Sequence, residues 1–268
     1  MQLWVLGSGS RGNAILLDAG NTRILIDAGF PPRILAARMR FCGIAPESVC
    51  ALIITHEHFD HVRGAVKSAA KWGWETYAST GTVRACHRLA SAHTFRAGEA
   101  LHINGVTVQS VRIAHDAADP VALVACDDRT GVRAAIAHDL GAPNDALRRA
   151  LERVDVMVLE SNHDEGMLRA GPYPPFLQAR ISGGRGHLSN RAACALARKA
   201  VHAGLRDLVL AHLSEHNNTP ATAHRAMAAA LRETRFRGRL TPAPQGVPCG
   251  PFGPTTVPPR ARQLALGL

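Results

Sequence analysis

Seven consecutive residues, Thr55-His56-Glu57-His58-Phe59-Asp60-His61, carry three imidazoles and two carboxylates. His56 and His58 are two apart, so in extended chain they point the same way and can grip one cation. Asp60 and His61 lie a little further round the turn, placed to hold a second. Neutral imidazole suits zinc, manganese or iron, and a carboxylate adds charge and a harder oxygen. The bland alternative is a solvated histidine-rich turn. Against it stands the preceding run Ala51-Leu52-Ile53-Ile54, apolar and β-branched, which reads as a buried strand. Buried strand ends rarely carry so many polar groups without partners.

The elements that must position these groups follow from the pattern. Residues 3–6, 14–17 and 23–26 read as short strands joined by Gly- and Asn-containing turns. The first of these turns, Gly7-Ser8-Gly9-Ser10-Arg11-Gly12-Asn13, lets backbone come close to whatever lies beneath, and it lacks the Lys-Ser/Thr of a P-loop. Helices are expected over 32–40, 64–71, 80–89, 144–153, 189–203 and 219–234. Further strands are expected over 75–78, 106–111, 154–159 and 208–210, with 121–126 and 132–137 forming a hairpin. Polar clusters at His56, His115, Asp139, Glu160 and His212 each follow an apolar strand, as one edge of a sheet pair carrying a site would require. Taken alone, His115 and His212 read equally as ligands or surface groups, and Asp139 as a turn cap ahead of Gly141. Residues 241–262 contain seven prolines and read as a flexible tail, which leaves a catalytic module over 1–240 and a Pro/Gly-rich segment over 241–268.

Lys and Arg outnumber Asp and Glu by 31 to 21, a formal net charge of +10, and a polyanionic substrate is the natural inference. The six cysteines show no C-x-x-C spacing and read as reduced thiols. No apolar run approaches a membrane span, and the start Met1-Gln2-Leu3-Trp4-Val5 lacks the features of a secretory leader, so no membrane association and a cytoplasmic location are expected.

His56-x-His58-x-Asp60-His61 behind an apolar strand resembles the signature of the metallo-β-lactamase fold hydrolases. The resemblance implies an α/β protein, a four-layered αββα sandwich with one catalytic domain and a two-metal site along the sheet edges. Carried over residue by residue, it gives His56, His58 and His115 to one metal, Asp60, His61 and His212 to the other, and Asp139 to the bridge between them. The metals implied are two divalent cations, zinc or manganese. True β-lactamases of this fold with two zincs generally have cysteine where Asp139 stands.

Further segments sharpen the resemblance. Ser8-Gly9-Ser10-x-Gly12-Asn13, Glu160-x-Asn162-His163-Asp164, Gly186-His187-Leu188-Ser189-Asn190 and Ala211-His212-Leu213-Ser214-x-x-Asn217-Asn218 are similar to the WalJ/YycJ-type family, with members described as 5′-to-3′ DNA exonucleases. The resemblance runs from residue 1 to about 235. His138 and His216 depart from it, standing where a threonine and an acidic residue are expected. Gly186-His187 with Ser189 also resembles a segment of ribonucleases Z and J whose histidine contacts the scissile phosphate. These resemblances imply Asp60 and His187 as catalytic residues and Asn13, Ser189 and Asn190 as substrate contacts, with the following helix start aiming free N–H groups at the phosphate.

The expected function is a metal-dependent phosphodiesterase on nucleic acid, DNA favoured over RNA: a 5′-to-3′ exonuclease in replication-linked repair. A small-molecule phosphodiesterase resembling the cyclic ribose-phosphate hydrolases would share the ligands without needing so basic a chain. A thioesterase resembling glyoxalase II would lack the segment around His187. The last residues, Gln263-Leu264-Ala265-Leu266-Gly267-Leu268, resemble the short peptide with which bacterial replication and repair proteins bind the sliding clamp; Gln263 would bond the pocket rim while Leu264, Leu266 and Leu268 fill an apolar groove. Deleting residues 263–268 is expected to abolish clamp binding in calorimetry and to leave hydrolysis of free oligonucleotides unchanged.

Overall fold

The computed structural model describes residues 1–254. The first sheet is laid down in chain order by β1 (Gln2–Gly7), β2 (Ala14–Asp18), β3 (Arg23–Ile26), β4 (Ala51–Ile54), β5 (Glu75–Ser79) and β6 (His93–Phe95). The second takes β7 (Ala100–Ile103), β8 (Val106–Arg112), β9 (Val121–Asp127), β10 (Arg133–Ala137), β11 (Val156–Glu160), β12 (Asp207–Ala211) and β13 (Arg239–Pro242). A last strand, β14 (Cys249–Phe252), returns to the first sheet and pairs antiparallel with β1.

Strand alternation sorts the side chains into three apolar layers. Leu3 and Val5 of β1 face the second sheet, whereas Trp4 and Leu6 face outward to helix α1 (Pro32–Phe41). In the same way Val156 and Val158 of β11 enter the inter-sheet core, while Met157 and Leu159 turn to the opposite face. Strands buried on both faces appear in sequence as unbroken apolar runs, which is why β4 and β11 show no polar alternation.

Helices complete the sandwich. Beyond α1, the first sheet carries α2 (Phe59–Val62), α3 (Ala65–Trp72) and α4 (Thr80–Ala85). On the second sheet α5 (Asp145–Ala150) packs with two longer helices introduced after α6 (Glu165–Ala170) and α7 (Pro175–Ser182), namely α8 (Asn190–Ala200) and α9 (Pro220–Leu231). α8 starts where the Ser189 hydroxyl accepts the N–H of Ala192, and it buries Ala193, Leu196, Ala197 and Ala200 at helical spacing. Thr219 caps α9 in the same manner, with Pro220 at the first position. The arrangement is the αββα sandwich expected of the chain, and no helix of the described residues is long and apolar enough to cross a membrane.

Two differences from the sequence reading stand out. The segment expected as one helix over 80–89 is a short helix capped by Ser79 and then a 3-10 turn over His87–Leu89. More consequentially, the folded part does not stop at residue 240. Residues 241–254 supply the end of β13 and all of β14, and bury Ala243 and Phe252. Both strands are sheet edges, where a proline such as Pro242 or Pro251 breaks no interior ladder. The peptide Gln263, Leu264, Leu266, Leu268 lies outside the described residues.

The topology decides where a site can form. β3 and β4 run parallel in one sheet, and β10, β11 and β12 run parallel in the other. Their carboxyl ends gather at one edge, the place where α/β sheets bind ligands. Phe252→Ala is expected to cost about 3–5 kcal/mol in urea unfolding, the scale for emptying a buried phenylalanine position; an unchanged midpoint would place this strand outside the cooperative fold.

Candidate metal centre

Every strand end at this edge delivers a polar residue. β3 delivers Asp27, β4 delivers His56 and the turn to His61, and β8 leads to His115. β10 delivers His138 and Asp139, β11 ends on Glu160, and β12 delivers His212. Asp27, Asp139 and His212 hold left-handed backbone, with φ of 59°, 52° and 53°. Such φ values are uncommon outside glycine and cost roughly 1–3 kcal/mol each, so the surrounding sandwich must over-determine them. The turn after β3 is equally constrained: a Cβ on Gly29 would lie 1.7 Å from the carbonyl oxygen of Asp60, so only glycine lets these backbones touch.

The side chains converge. Ligand atoms of His56, His58 and His115 lie within 4.8 Å of one another, as do those of Asp60, His61 and His212. Asp139 joins the two groups. Its Oδ2 is 2.7 Å from His61 Nε2 and its Oδ1 is 3.0 Å from His212 Nδ1, and it shares a further cluster with His56 and His61. All seven expected ligands therefore share one site. His58 and Asp60 are half-buried at its mouth, and the other five are buried.

A second layer, which sequence reasoning missed in part, sets the proton positions. The side chain of Asp27 accepts from Thr55 N–H, from Thr55 Oγ1 and from His61 Nδ1, each at 2.8 Å. Thr55 Oγ1 thereby spends its proton, so its 3.0 Å contact with His56 Nδ1 makes that nitrogen the donor. The Gly186 carbonyl accepts from His115 Nδ1 at 3.1 Å. Fixing the proton on Nδ1 leaves the Nε2 lone pair of His56 and His115 for the site, whereas His61 meets a carboxylate at each nitrogen, Asp27 at Nδ1 and Asp139 at Nε2. His56 Nε2 is buried without any hydrogen-bond partner among the described residues, and His212 Nε2 is another such atom.

Glu160 is the other missed residue. Fully buried at the end of β11, it accepts from His187 Nδ1 at 2.8 Å and His212 Nδ1 at 2.9 Å through Oε1. Its Oε2 accepts from the N–H groups of Leu140 at 2.6 Å and Leu188 at 3.2 Å. With its acceptors committed, Glu160 positions ring nitrogens and has little left for an ion. Its signal in the sequence was its place behind an apolar strand; its partners come from three other segments. His138, which departs from the resemblance, stacks on His61 with ring centroids 5.2 Å apart and sets Nδ1 3.1 Å from Asp139 Oδ2.

The electrostatics call for positive charge. Burial pulls the His61 pKa down, yet the Asp27 and Asp139 charges reverse this and leave it well above the usual imidazole range. His212 behaves alike: burial lowers it, and Asp139 with its hydrogen bonds raises it further than burial lowers it. Burial would raise Asp139, but His212 and His61 hold it well below the carboxylate range. Glu160, also pushed up by burial, is brought down to about 2 by His187 and His212. His56, by contrast, is held neutral by burial and by the neighbouring His61. Neutral lone pairs facing a pocket of buried carboxylates form a donor set that fits divalent cations.

Not every expected contact faces this site. Asn13 does: its Nδ2 donates to Asp60 Oδ2 at 3.0 Å and lies 2.9 Å from His61 Nε2. His187 lines a cavity of about 310 Å3 together with His58, Asp60, Asp139 and His212. Ser189 instead spends its hydroxyl on the α8 cap and on Glu165. Asn190 is buried and tied to Ser161 and Asn218, so its amide joins the starts of α8 and α9 and is not free for substrate. The helix start offers less than expected too, because the N–H groups of Leu188, Asn190 and Ala192 are already bonded within the protein.

Residues 7–154 match the sequence model of the Metallo-beta-lactamase superfamily. The chain is 30% identical over 238 residues to the exodeoxyribonuclease WalJ of Streptococcus pneumoniae serotype 2, covering 85% of this chain and 87% of that one. It is 29% identical to the exodeoxyribonuclease YycJ of Bacillus anthracis, covering 87% and 89%. Among solved structures, the metallo-beta-lactamase fold protein YhfI from Bacillus subtilis superposes with a TM-score of 0.72 at 18% identity, over 93% of this chain and 99% of that one. The short form of human tRNase Z superposes at 0.64 and 15% identity, over 94% and 100%.

Asp27→Ala strips the acceptor from His61 Nδ1 and leaves a buried charge unpaired. It is expected to cost the metal-free protein about 3–5 kcal/mol in urea unfolding. Metal affinity measured by titration should fall roughly 10–100-fold, the scale for losing such an orienting partner.

Proposed function

The chain belongs to the metallo-beta-lactamase superfamily of hydrolases, and from that premise we propose that it is a metal-dependent nuclease whose site residues are those converging at the sheet edge. In this reading His56, His58 and His115 hold one divalent cation, Asp60, His61 and His212 hold the other, and Asp139 lies between them. When bound, such a pair supplies a nucleophile at neutral pH and withdraws charge from phosphate oxygens. The donors suit zinc and manganese alike.

The observation that carries the phosphodiester reading is the placement of His187. Its ring lines the cavity over the cage while Nδ1 is bound to Glu160. Burial lowers the His187 pKa, but the Glu160 charge raises it above the ordinary value, which favours the protonated ring. That leaves Nε2 to donate to a phosphate oxygen and to hand a proton to the departing oxygen. Asp60, held by the Asn13 amide at the cavity mouth, orients the attacking water. The net charge of +10 suits a polyanion.

The reading extends to DNA because two relatives are named exodeoxyribonucleases. On the resemblance drawn from the sequence it extends also to 5′-to-3′ direction, to replication-linked repair and to the sliding clamp as partner of Gln263, Leu264, Leu266 and Leu268. The test is purified protein with Mn2+ or Zn2+ on end-labelled DNA, on RNA and on bis(p-nitrophenyl) phosphate. Binding to oligonucleotides should weaken steeply with salt, as phosphate contacts require.

His187→Ala is expected to lower kcat by roughly 10²-fold or more while metal content by elemental analysis stays full; loss of one ion would make His187 a ligand instead. Asp60→Ala and His61→Ala should each abolish turnover with an unchanged circular dichroism spectrum, and undiminished hydrolysis by either would rule out the two-metal reading.

A further inference from the structure

Helix α7 has no buried residue, although it carries the apolar side chains Phe176, Leu177 and Ile181. Leu177 and Ile181 are four apart and so share one face, and Tyr173 leads into the helix just before it. Tyr173, Leu177 and Ile181 all line the cavity of about 310 Å3 that also holds His58, Asp60 and His187. The helix is tied to the site at several points. Arg180 donates from Nε to Asp116 Oδ2 at 2.6 Å, directly after His115, and the N–H of His187 bonds the Ile181 carbonyl at 2.8 Å. At the rim, the Tyr173 ring meets His216 edge-on, with centroids 5.7 Å apart.

Hydrolysis of a phosphodiester calls for charge and hydrogen bonds and makes no use of an apolar wall. A helix that turns its apolar face to the reaction cavity instead of to a core has an apolar part of the substrate to meet. The cavity lies at the lower end of the ~300–1,000 Å3 range of small-ligand sites, room for one nucleotide unit. In a nucleic acid the planar apolar group one unit from the phosphate is the base, and base faces stack on aromatic side chains with little regard to sequence.

Resting on the nuclease reading above, we propose that the wall formed by Tyr173, Leu177 and Ile181 receives the unpaired terminal nucleobase, which stacks on the Tyr173 ring. The wall thereby favours a strand end over an internal, paired nucleotide and accepts any of the bases.

The test uses metal-loaded full-length protein and single-stranded DNA carrying an ordinary base or a tetrahydrofuran abasic unit at either terminal position. Wild type should make the first cut at the attacked end with kcat/KM about tenfold higher when the base is present, within the range of base–aromatic stacking. Tyr173→Ala should bring the intact end down to the abasic rate, and Tyr173→Phe should keep the preference, with metal content equal in all three. Equal wild-type rates on intact and abasic ends would overturn the inference, as would a preference that survives Tyr173→Ala. If bis(p-nitrophenyl) phosphate is hydrolysed and no oligonucleotide is, the nuclease reading falls and the inference with it.

Discussion

Much of this structure depends on one buried carboxylate, Asp139, held between His61 and His212 at the closing edge of two sheets. Burial alone would drive Asp139 to take up a proton, and the two imidazoles prevent it. Those imidazoles are in turn kept in place by Asp27 and Glu160, which are themselves fully buried. The result is a chain of charges in which each member is affordable only because its neighbours are present. Removing one partner from such a network leaves an unpaired charge in low dielectric, which is far costlier than the pair.

A network of this kind needs rigid walls. The three αL residues at the strand ends are conformations that short peptides would abandon, and they persist because β3, β10 and β12 are locked into sheets on both sides. The two sheets press together over a continuous apolar layer contributed by both, including Ile26, Ile53, Ile136, Val158 and Val209 from the strands that end at the site. Packing energy from the core thus stabilises strained, polar geometry at its rim. The contrast with α7 is instructive: without a core of its own, that helix is free to serve the cavity.

The orientation of the imidazoles follows from accounting for protons. Carboxylates and carbonyls accept only, so each histidine they touch must donate there and present its other nitrogen elsewhere. Applied to Thr55 and Gly186, this rule turns the Nε2 lone pairs of His56 and His115 into the pocket, an arrangement that suits a cation better than a cluster of hydrogen-bonded rings would. Two side chains expected at the substrate, Ser189 and Asn190, turn out to be committed to helix starts, where capping uses the same chemistry as phosphate binding.

The sequence by itself determined the central strands and the residues that end them. Fully buried strands leave long apolar runs, and a His/Asp cluster directly behind such a run has few uses besides metal chemistry, so the seven residues expected as ligands could be named from the sequence, and the fold brings their side chains together. What it did not reveal has a common cause. The unexpected strands β6, β7, β13 and β14 are the four sheet edges, which bury only part of their surface and leave weak or proline-broken patterns. Asp27 and Glu160 stood in plain view at strand ends, but their roles depend on partners up to 52 residues away. Only the tertiary structure could decide those pairings, because the folding of two sheets against each other, and not spacing along the chain, brings a carboxylate behind each imidazole.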